Sequence, residues 1–162
     1  MNQRPTIRLL VLDIDGVLTD GRVYLDERDG ETKSLYYRDL DALAEARRAG
    51  LDLALLTGED SAMVGILAGR LGIGHVKTGR KDKLTGLQEI AAETGIALSE
   101  TAYVGDARRD LPALQAAAMG FCPGDAHPAL LADPSCIRLT RHGGAGAVEE
   151  AIGHILAAAP AA

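Results

Sequence analysis

The chain has 162 residues, of which 47% are apolar and 25% charged, a balance that predicts one globular domain over residues 1–162. Its net charge of −6 argues against a nucleic-acid-binding surface, because phosphate backbones require clustered Lys and Arg. Aromatic residues make up only 3%, which disfavours a platform for stacking bases. The two cysteines form no CxxC pair, and the sequence has neither a signal peptide nor a membrane-length apolar run. We therefore expect a cytoplasmic protein with reduced thiols that binds neither nucleic acid nor a membrane.

The predicted elements begin with the apolar run Leu9–Leu12, which is typical of a strand buried on both faces. A β-hairpin is predicted next, with strands at 22–25 and 33–37 on either side of the Asp29-Gly30 turn. The chain then alternates between helices at 39–49, 60–71, 83–94, 111–118, 128–132 and 147–158 and strands at 51–56, 74–76, 101–104, 120–122 and 136–139. This alternation predicts an α/β three-layer sandwich with a parallel Rossmann-like sheet, interrupted by a hairpin after the first strand.

Two carboxylates follow the first predicted strand. Asp13 and Asp15 lie where ligands bind in parallel sheets, just beyond the carboxyl end of a strand. Residues two apart in a strand face the same side, and Gly16 allows the chain to turn there. Asp13 can then project forward to attack while Asp15 curls back to move protons. By themselves two acids would favour an ordinary acidic loop, so the later motifs decide between the two interpretations.

A second strand ends at Thr57 and Gly58. The Thr57 hydroxyl can donate to a phosphate, Gly58 permits close backbone approach, and a helix that begins there would offer free N–H groups. Taken alone, the pattern favours a simple helix cap at Thr57. A lysine that neutralises the phosphate is predicted at Lys83, which opens the next helix, with Lys81 as the alternative.

Asp106 also follows a predicted strand and suits a metal ligand. Mg²⁺ prefers a few carboxylates together with water and substrate oxygens, which Asp13, Asp106 and the backbone carbonyl of Asp15 could supply. Asp110, one helical turn later, could support Lys83 or a metal-bound water. The sequence therefore predicts a magnesium site at this edge of the sheet.

In chain order the motifs DxDGxxTD, TG, K and GDxxxD resemble those of the haloacid dehalogenase superfamily of phosphohydrolases. The resemblance implies a Mg²⁺-dependent phosphatase that forms an aspartyl-phosphate. It makes Asp13 the nucleophile, and Asp15 the general acid and then the general base. The phosphate-binding residues that it implies are Thr57, Gly58 and Lys83, and the metal-binding residues are Asp13, Asp15 and Asp106.

Most of the chain, from Arg8 to about Ile155, is similar to the capless sugar-acid phosphatases of this superfamily, typified by the 3-deoxy-D-manno-octulosonate 8-phosphate phosphatases. The segments that carry this likeness are 7–21, 36–39, 102–106, 125–128 and 143–150. The spacing between motifs leaves no space for a cap domain. The resemblance implies a sugar-acid phosphate substrate, a role in lipopolysaccharide precursor synthesis, and a homotetramer whose hairpins form a central barrel. From the residues alone, the hairpin could equally pack on its own sheet.

Several positions depart from that branch. Glu59 and Ala145 stand where the octulosonate enzymes usually carry Arg, Ala107 replaces a second aspartate, and Leu40 replaces a glycine. Glu59 looks more like the branch that acts on nine-carbon keto-acid 9-phosphates. The candidate specificity residues are therefore Glu59 and Arg38.

Three hypotheses result. The preferred one is a phosphatase for a phosphorylated 2-keto-3-deoxy sugar acid. The second is a nine-carbon keto-acid (nonulosonate) 9-phosphate phosphatase. The third is a noncatalytic oligomerisation domain of the same fold, against which the retained Asp13 and Asp15 argue. His127, beside Pro128, is interpreted as a helix-start residue rather than a site residue.

Overall fold

The computed structural model describes residues 6–158, in which eight strands and six α-helices follow one another along the chain. The strands are β1 (Leu9–Leu12), β2 (Tyr24–Leu25), β3 (Glu31–Thr32), β4 (Asp52–Leu56), β5 (His75–Lys77), β6 (Thr101–Val104), β7 (Met119–Cys122) and β8 (Cys136–Arg138). The helices are α1 (Tyr37–Arg48), α2 (Ala62–Leu71), α3 (Lys83–Thr94), α4 (Leu111–Ala116), α5 (Pro128–Leu131) and α6 (Ala147–Ala158).

Six of the strands form one parallel sheet in the order β5-β4-β1-β6-β7-β8. β1 lies between β4 and β6, with Leu12 beside Leu55 on one side and beside Val104 on the other. The carboxyl ends of these three strands therefore meet at the same edge. The predicted three-layer α/β fold is confirmed.

The two faces of β1 supply two apolar clusters. Leu10 and Leu12 pack with buried residues of α1, α2 and α6, whereas Leu9 and Val11 pack with residues of α3, α4 and α5. All four side chains are fully buried. Because the strand is covered on both faces, it is continuously apolar up to Asp13, and the change to carboxylates coincides with the open edge of the sheet.

The predicted hairpin is present, but its paired strands are only two residues long. The carboxylate of Asp26 accepts hydrogen bonds from the N–H groups of Arg28 and Gly30, which closes the turn. The prediction that the second strand runs over 33–37 is wrong. The side chain of Lys33 is directed into the main body of the protein, and Tyr37 is already the first residue of α1.

The predicted bounds of β1, α3, β6 and α6 are confirmed, and the other boundaries differ from the predicted ones by at most two residues. α4 ends at Ala116 because the N–H of Ala118 donates to the carbonyls of Leu98 and Thr101 rather than to its own helix. Two short 3₁₀ turns, Leu98–Glu100 and Arg108–Asp110, were not predicted. Within residues 6–158, no helix combines the length and apolar character needed to cross a membrane.

Candidate active site

A buried ion pair stands at the centre of the sheet edge. Lys83 is the first residue of α3, and its side chain is fully buried. Its Nζ lies 2.8 Å from Oδ2 of Asp13. The same ammonium donates to the carbonyl of Leu56 at 2.9 Å and lies 3.7 Å from Oδ1 of Asp110. Asp13 Oδ1 accepts the N–H of Ile14 at 2.8 Å. The nucleophile candidate is thus held in one orientation beside a cation.

Three carboxylates crowd this position. Asp13, Asp106 and Asp110 each offer an oxygen, and these atoms all lie within 4.8 Å of one another, so the group could hold a metal ion. Burial raises the pKa of Asp13 to about 6 despite the opposing charge of Lys83. Burial and the charges of Asp13 and Asp110 raise the pKa of Asp106 to about 7. A divalent cation among these oxygens would relieve both effects.

Asp110 is already engaged by the protein. Its Oδ1 accepts the Tyr103 hydroxyl at 2.5 Å, and its Oδ2 accepts the N–H groups of Ala107 and Asp106 at 2.8 and 3.2 Å. Burial and the neighbouring Asp110 charge raise the pKa of Tyr103 well above its ordinary value, so the phenol remains a donor. Tyr103 was not singled out in the sequence, where it reads only as a core residue of β6. Asp110 therefore has few lone pairs left, and Asp13 and Asp106 are better placed to bind a cation.

Gly16 makes the approach of Asp106 possible. Its φ is 78°, and a Cβ at this position would lie 2.0 Å from Oδ2 of Asp106. The hydroxyl of buried Thr19 accepts the N–H groups of Gly16 and Gly21, at 3.3 and 3.2 Å. The loop after β1 is thus fixed by a side chain that belongs to the DxDGxxTD motif.

Thr57 and Gly58 follow β4 in a turn rather than in the first turn of a helix. The Thr57 hydroxyl accepts the N–H of Glu59 at 3.1 Å, and the carbonyls of Thr57 and Glu59 accept N–H groups from Arg80 and Gly79. Both carbonyls thus bond to the segment that follows β5 rather than within a helix, and α2 starts only at Ala62. The predicted helix start at this turn is therefore wrong, as is the alternative in which Thr57 is merely a helix cap.

Asp15 is paired with a residue that the sequence analysis missed. Nζ of Lys33 lies 2.8 Å from Asp15 Oδ1 and 2.9 Å from Glu59 Oε2, and only 4% of the Lys33 side chain is exposed. Burial lowers the pKa of Lys33, but the hydrogen bonds to the two carboxylates have the larger combined effect. The pKa is therefore raised above its ordinary value. Lys33 and Glu59 also line a cavity of about 140 Å³, to which α2 contributes several apolar residues.

Comparison with known proteins agrees with this geometry. The family model of the haloacid dehalogenase-like hydrolases matches residues 26–118. A 3-deoxy-D-manno-octulosonate 8-phosphate phosphatase of Escherichia coli (strain B / BL21-DE3) is 35% identical over 151 residues, which are 93% of this chain and 79% of the relative.

The chain belongs to the haloacid dehalogenase-like hydrolase family.

Two solved structures of this hydrolase family are similar over nearly the whole chain. The 3-deoxy-D-manno-octulosonate 8-phosphate phosphatase of Moraxella catarrhalis, in complex with magnesium, phosphate and KDO, has a TM-score of 0.88 and 35% identity, covering 97% of this chain and 90% of its own. The cobalt-bound deoxy-D-mannose-octulosonate 8-phosphate phosphatase of Haemophilus influenzae has a TM-score of 0.90 and 32% identity, with coverages of 97% and 91%. The predicted enzyme class, a phosphoric monoester hydrolase, is confirmed.

Two other residues singled out in the sequence, Lys81 and Arg38, are not part of the ion pair of Asp13 and Lys83. Lys81 is exposed, whereas Lys83 is buried and paired with Asp13. Arg38 donates to Glu149 at 2.8 Å, on the N-terminal turns of α1 and α6, and has no contact with Asp13 or Lys83. Its pairing is with another protein side chain rather than with the carboxylate cluster.

Two further residues fix the surroundings of the site. Asp39, fully buried, accepts the N–H groups of Gly146 and Glu149 and so attaches α1 to the start of α6. His127 precedes α5, where its Nδ1 accepts the N–H of Ala129, as expected of a helix-start residue. The N–H of His127 also donates to the carbonyl of Asp106 at 2.7 Å, which anchors the loop of that carboxylate.

Proposed function

We propose that this phosphatase hydrolyses the phosphate monoester of a 2-keto-3-deoxy sugar acid, with 3-deoxy-D-manno-octulosonate 8-phosphate as the first candidate. The observation that carries the proposal is the buried pair of Asp13 and Lys83 at the end of the central strand, beside Asp106. The Escherichia coli relative bears the name of a phosphatase for this substrate, and the Moraxella catarrhalis structure is described with KDO and phosphate. By this assignment the chain would serve lipopolysaccharide precursor synthesis.

We propose Mg²⁺ as the cofactor, bound by the carboxylates of Asp13 and Asp106 and by the backbone carbonyl of Asp15. The side chain of Asp15 pairs with Lys33 through Oδ1 and is assigned to proton transfer, so its backbone carbonyl is assigned to the metal. The raised pKa values of Asp13 and Asp106 fit such a site, because these acids lack sufficient positive charge in the protein alone. When bound, the ion would neutralise the carboxylates and the phosphate that they must approach. Asp110 would hold Lys83 and the loop of Asp106 in place.

The reaction would proceed in two displacements. A carboxylate oxygen of Asp13 attacks phosphorus while the bond from phosphorus to the sugar oxygen breaks, and Asp15 acts as the general acid that gives a proton to that oxygen. Asp15 then takes a proton from water, whose oxygen attacks the aspartyl-phosphate and restores Asp13. Thr57, Gly58 and Lys83 would hold the phosphoryl oxygens throughout, Lys83 through an ammonium that already lies 2.8 Å from Asp13.

A nine-carbon keto-acid 9-phosphate remains the second candidate substrate because of Glu59. Only Oε2 of this carboxylate is engaged, by Lys33, and 44% of the side chain is exposed at the edge of the cavity. An acceptor so placed suits a sugar hydroxyl better than a substrate carboxylate, which it would repel.

Phosphate release with Mg²⁺ tests the proposal directly. We would compare the octulosonate 8-phosphate with the nine-carbon 9-phosphate at matched subsaturating concentrations, which gives the ratio of kcat/KM values. Faster octulosonate turnover supports the first candidate, and faster nine-carbon turnover replaces it with the second. No turnover of either substrate, with Asp13→Asn indistinguishable from the wild type, would favour a noncatalytic domain.

We further propose that residues 1–162 act as one domain and that the protein is a homotetramer joined through the hairpin. Val23, Tyr24 and Leu25 are 43%, 55% and 74% exposed, an unusual display of apolar surface beside a site that has no cap domain among residues 6–158. A neighbouring subunit that covers these residues would also help to close the cavity. Light scattering coupled to gel filtration measures the mass of the oligomer. Replacing Leu25 by Glu should lower that mass, because the charge would disrupt the contact between subunits.

A further inference from the structure

An arginine at an unspecified position of the GDxxxD motif reaches the turn of Thr57 and Gly58. The guanidinium of Arg109 lies 3.7 to 3.9 Å from the position that a Cβ of Gly58 would occupy. Arg109 belongs to the 3₁₀ turn after β6, whereas Gly58 follows β4, and β1 lies between these two strands. The side chain must therefore extend past the end of β1, where Asp13 is located.

The backbone of Arg109 is fixed by the residues that follow it. The next residue, Asp110, is fully buried and bonded to the Tyr103 hydroxyl and to two backbone N–H groups. Leu111 then begins α4. The origin of the side chain is thus fixed by the same carboxylate that contacts Lys83.

Among residues 6–158, the charge of Arg109 has no partner. Each of the two lysines at the site already has two carboxylate partners, Lys83 with Asp13 and Asp110, and Lys33 with Asp15 and Glu59. Within residues 6–158, the guanidinium of Arg109 makes neither a hydrogen bond nor an ion pair. A cation without a carboxylate partner attracts a phosphate ester to this acidic site in addition to Lys83 and Mg²⁺, and a guanidinium can bind two of its oxygens at once.

We propose that Arg109 is a substrate-binding residue that donates to the phosphate oxygens of the ester held at Gly58. This inference rests on the proposed phosphatase function and adds a residue to that site. Because the contact is with the phosphate, it applies to any phosphate monoester that the enzyme accepts, whatever the sugar acid.

The test compares Arg109→Ala with Arg108→Ala, a matched control on the adjacent exposed arginine. With Mg²⁺, Arg109→Ala should raise KM about 10- to 100-fold for both p-nitrophenyl phosphate and the sugar-acid phosphate, with a much smaller change in kcat. Arg109→Lys should restore part of the loss. Calorimetric binding of inorganic phosphate should weaken by a similar factor, and Arg108→Ala should match the wild type in both measurements.

Other outcomes overturn the inference. Unchanged KM and unchanged phosphate binding in Arg109→Ala would remove Arg109 from the site. A loss confined to the sugar-acid phosphate, with normal phosphate binding, would assign the guanidinium to the substrate carboxylate instead. If the wild type releases no phosphate from any ester, the proposed function fails, but the calorimetric phosphate binding still decides the role of Arg109. A wild type that binds no phosphate contradicts the inference about Arg109. Equal circular dichroism spectra verify that each variant is folded.

Discussion

Replacing Asp106 by Asn should stabilise the metal-free protein at neutral pH. Burial and two neighbouring carboxylates raise the pKa of Asp106 from 3.8 to about 7, so the folded state binds this proton more tightly than the unfolded chain does. The free energy of unfolding must then fall as the pH rises from about 4 to about 7. Three pKa units correspond to about 4 kcal/mol, and solvent screening at this partly exposed side chain reduces the expected cost to about 2–3 kcal/mol. Asn carries no charge, so the variant should not lose this free energy of unfolding as the pH rises.

Urea unfolding of both proteins in EDTA, followed from pH 5 to 7.5, measures the effect. Since the loss begins near pH 4, the advantage of Asp106→Asn should already be about 1 kcal/mol at pH 5 and should reach about 2–3 kcal/mol at pH 7.5. Addition of Mg²⁺ at pH 7.5 should stabilise the wild type and leave the variant nearly unchanged. Asp41→Asn, at an exposed position of α1, serves as the control and should give a curve parallel to that of the wild type. Parallel curves for Asp106→Asn and the wild type would refute the proposed charge crowding.

Three further predictions concern the centre of the site. Asp13→Asn should lower kcat by about 1,000-fold or more without changing the circular dichroism spectrum, since an amide cannot serve as the nucleophile; turnover within tenfold of the wild type would contradict its role. Lys83→Met leaves buried carboxylates without their cation, so urea unfolding of the metal-free protein should show a loss of about 3–5 kcal/mol at pH 7.5, and a loss below about 1 kcal/mol would contradict the buried pair. Gly16→Ala forces a methyl group towards Asp106 at a positive φ and should weaken Mg²⁺ binding by about tenfold in calorimetry, whereas Gly153→Ala, with nothing within 4 Å, should not.

The fold and the centre of the site could be predicted because both depend on local patterns. The apolar run Leu9–Leu12 fixes a central buried strand, and the acid that ends it must then lie at the ligand-binding edge. The role of Tyr103 could not be predicted, because its hydroxyl meets Asp110 only when β6 and the following 3₁₀ turn are folded. The end of the hairpin was mispredicted for a related reason: Lys33 belongs by pattern to a strand, but its charge is satisfied elsewhere in the fold.

The position of Lys33 also connects substrate specificity to proton transfer. One ammonium contacts both Asp15, the candidate acid and base, and Glu59, the candidate specificity residue. Loss of the carboxylate at Glu59 would leave Lys33 with Asp15 alone, and an arginine there would put two cations together beside the cavity. An exchange of Glu59 made to change the preferred sugar acid should therefore alter kcat as well as KM. The hairpin contributes in the same way, since Lys33 directly follows β3 and any shift of that strand moves the cation on which both acids depend.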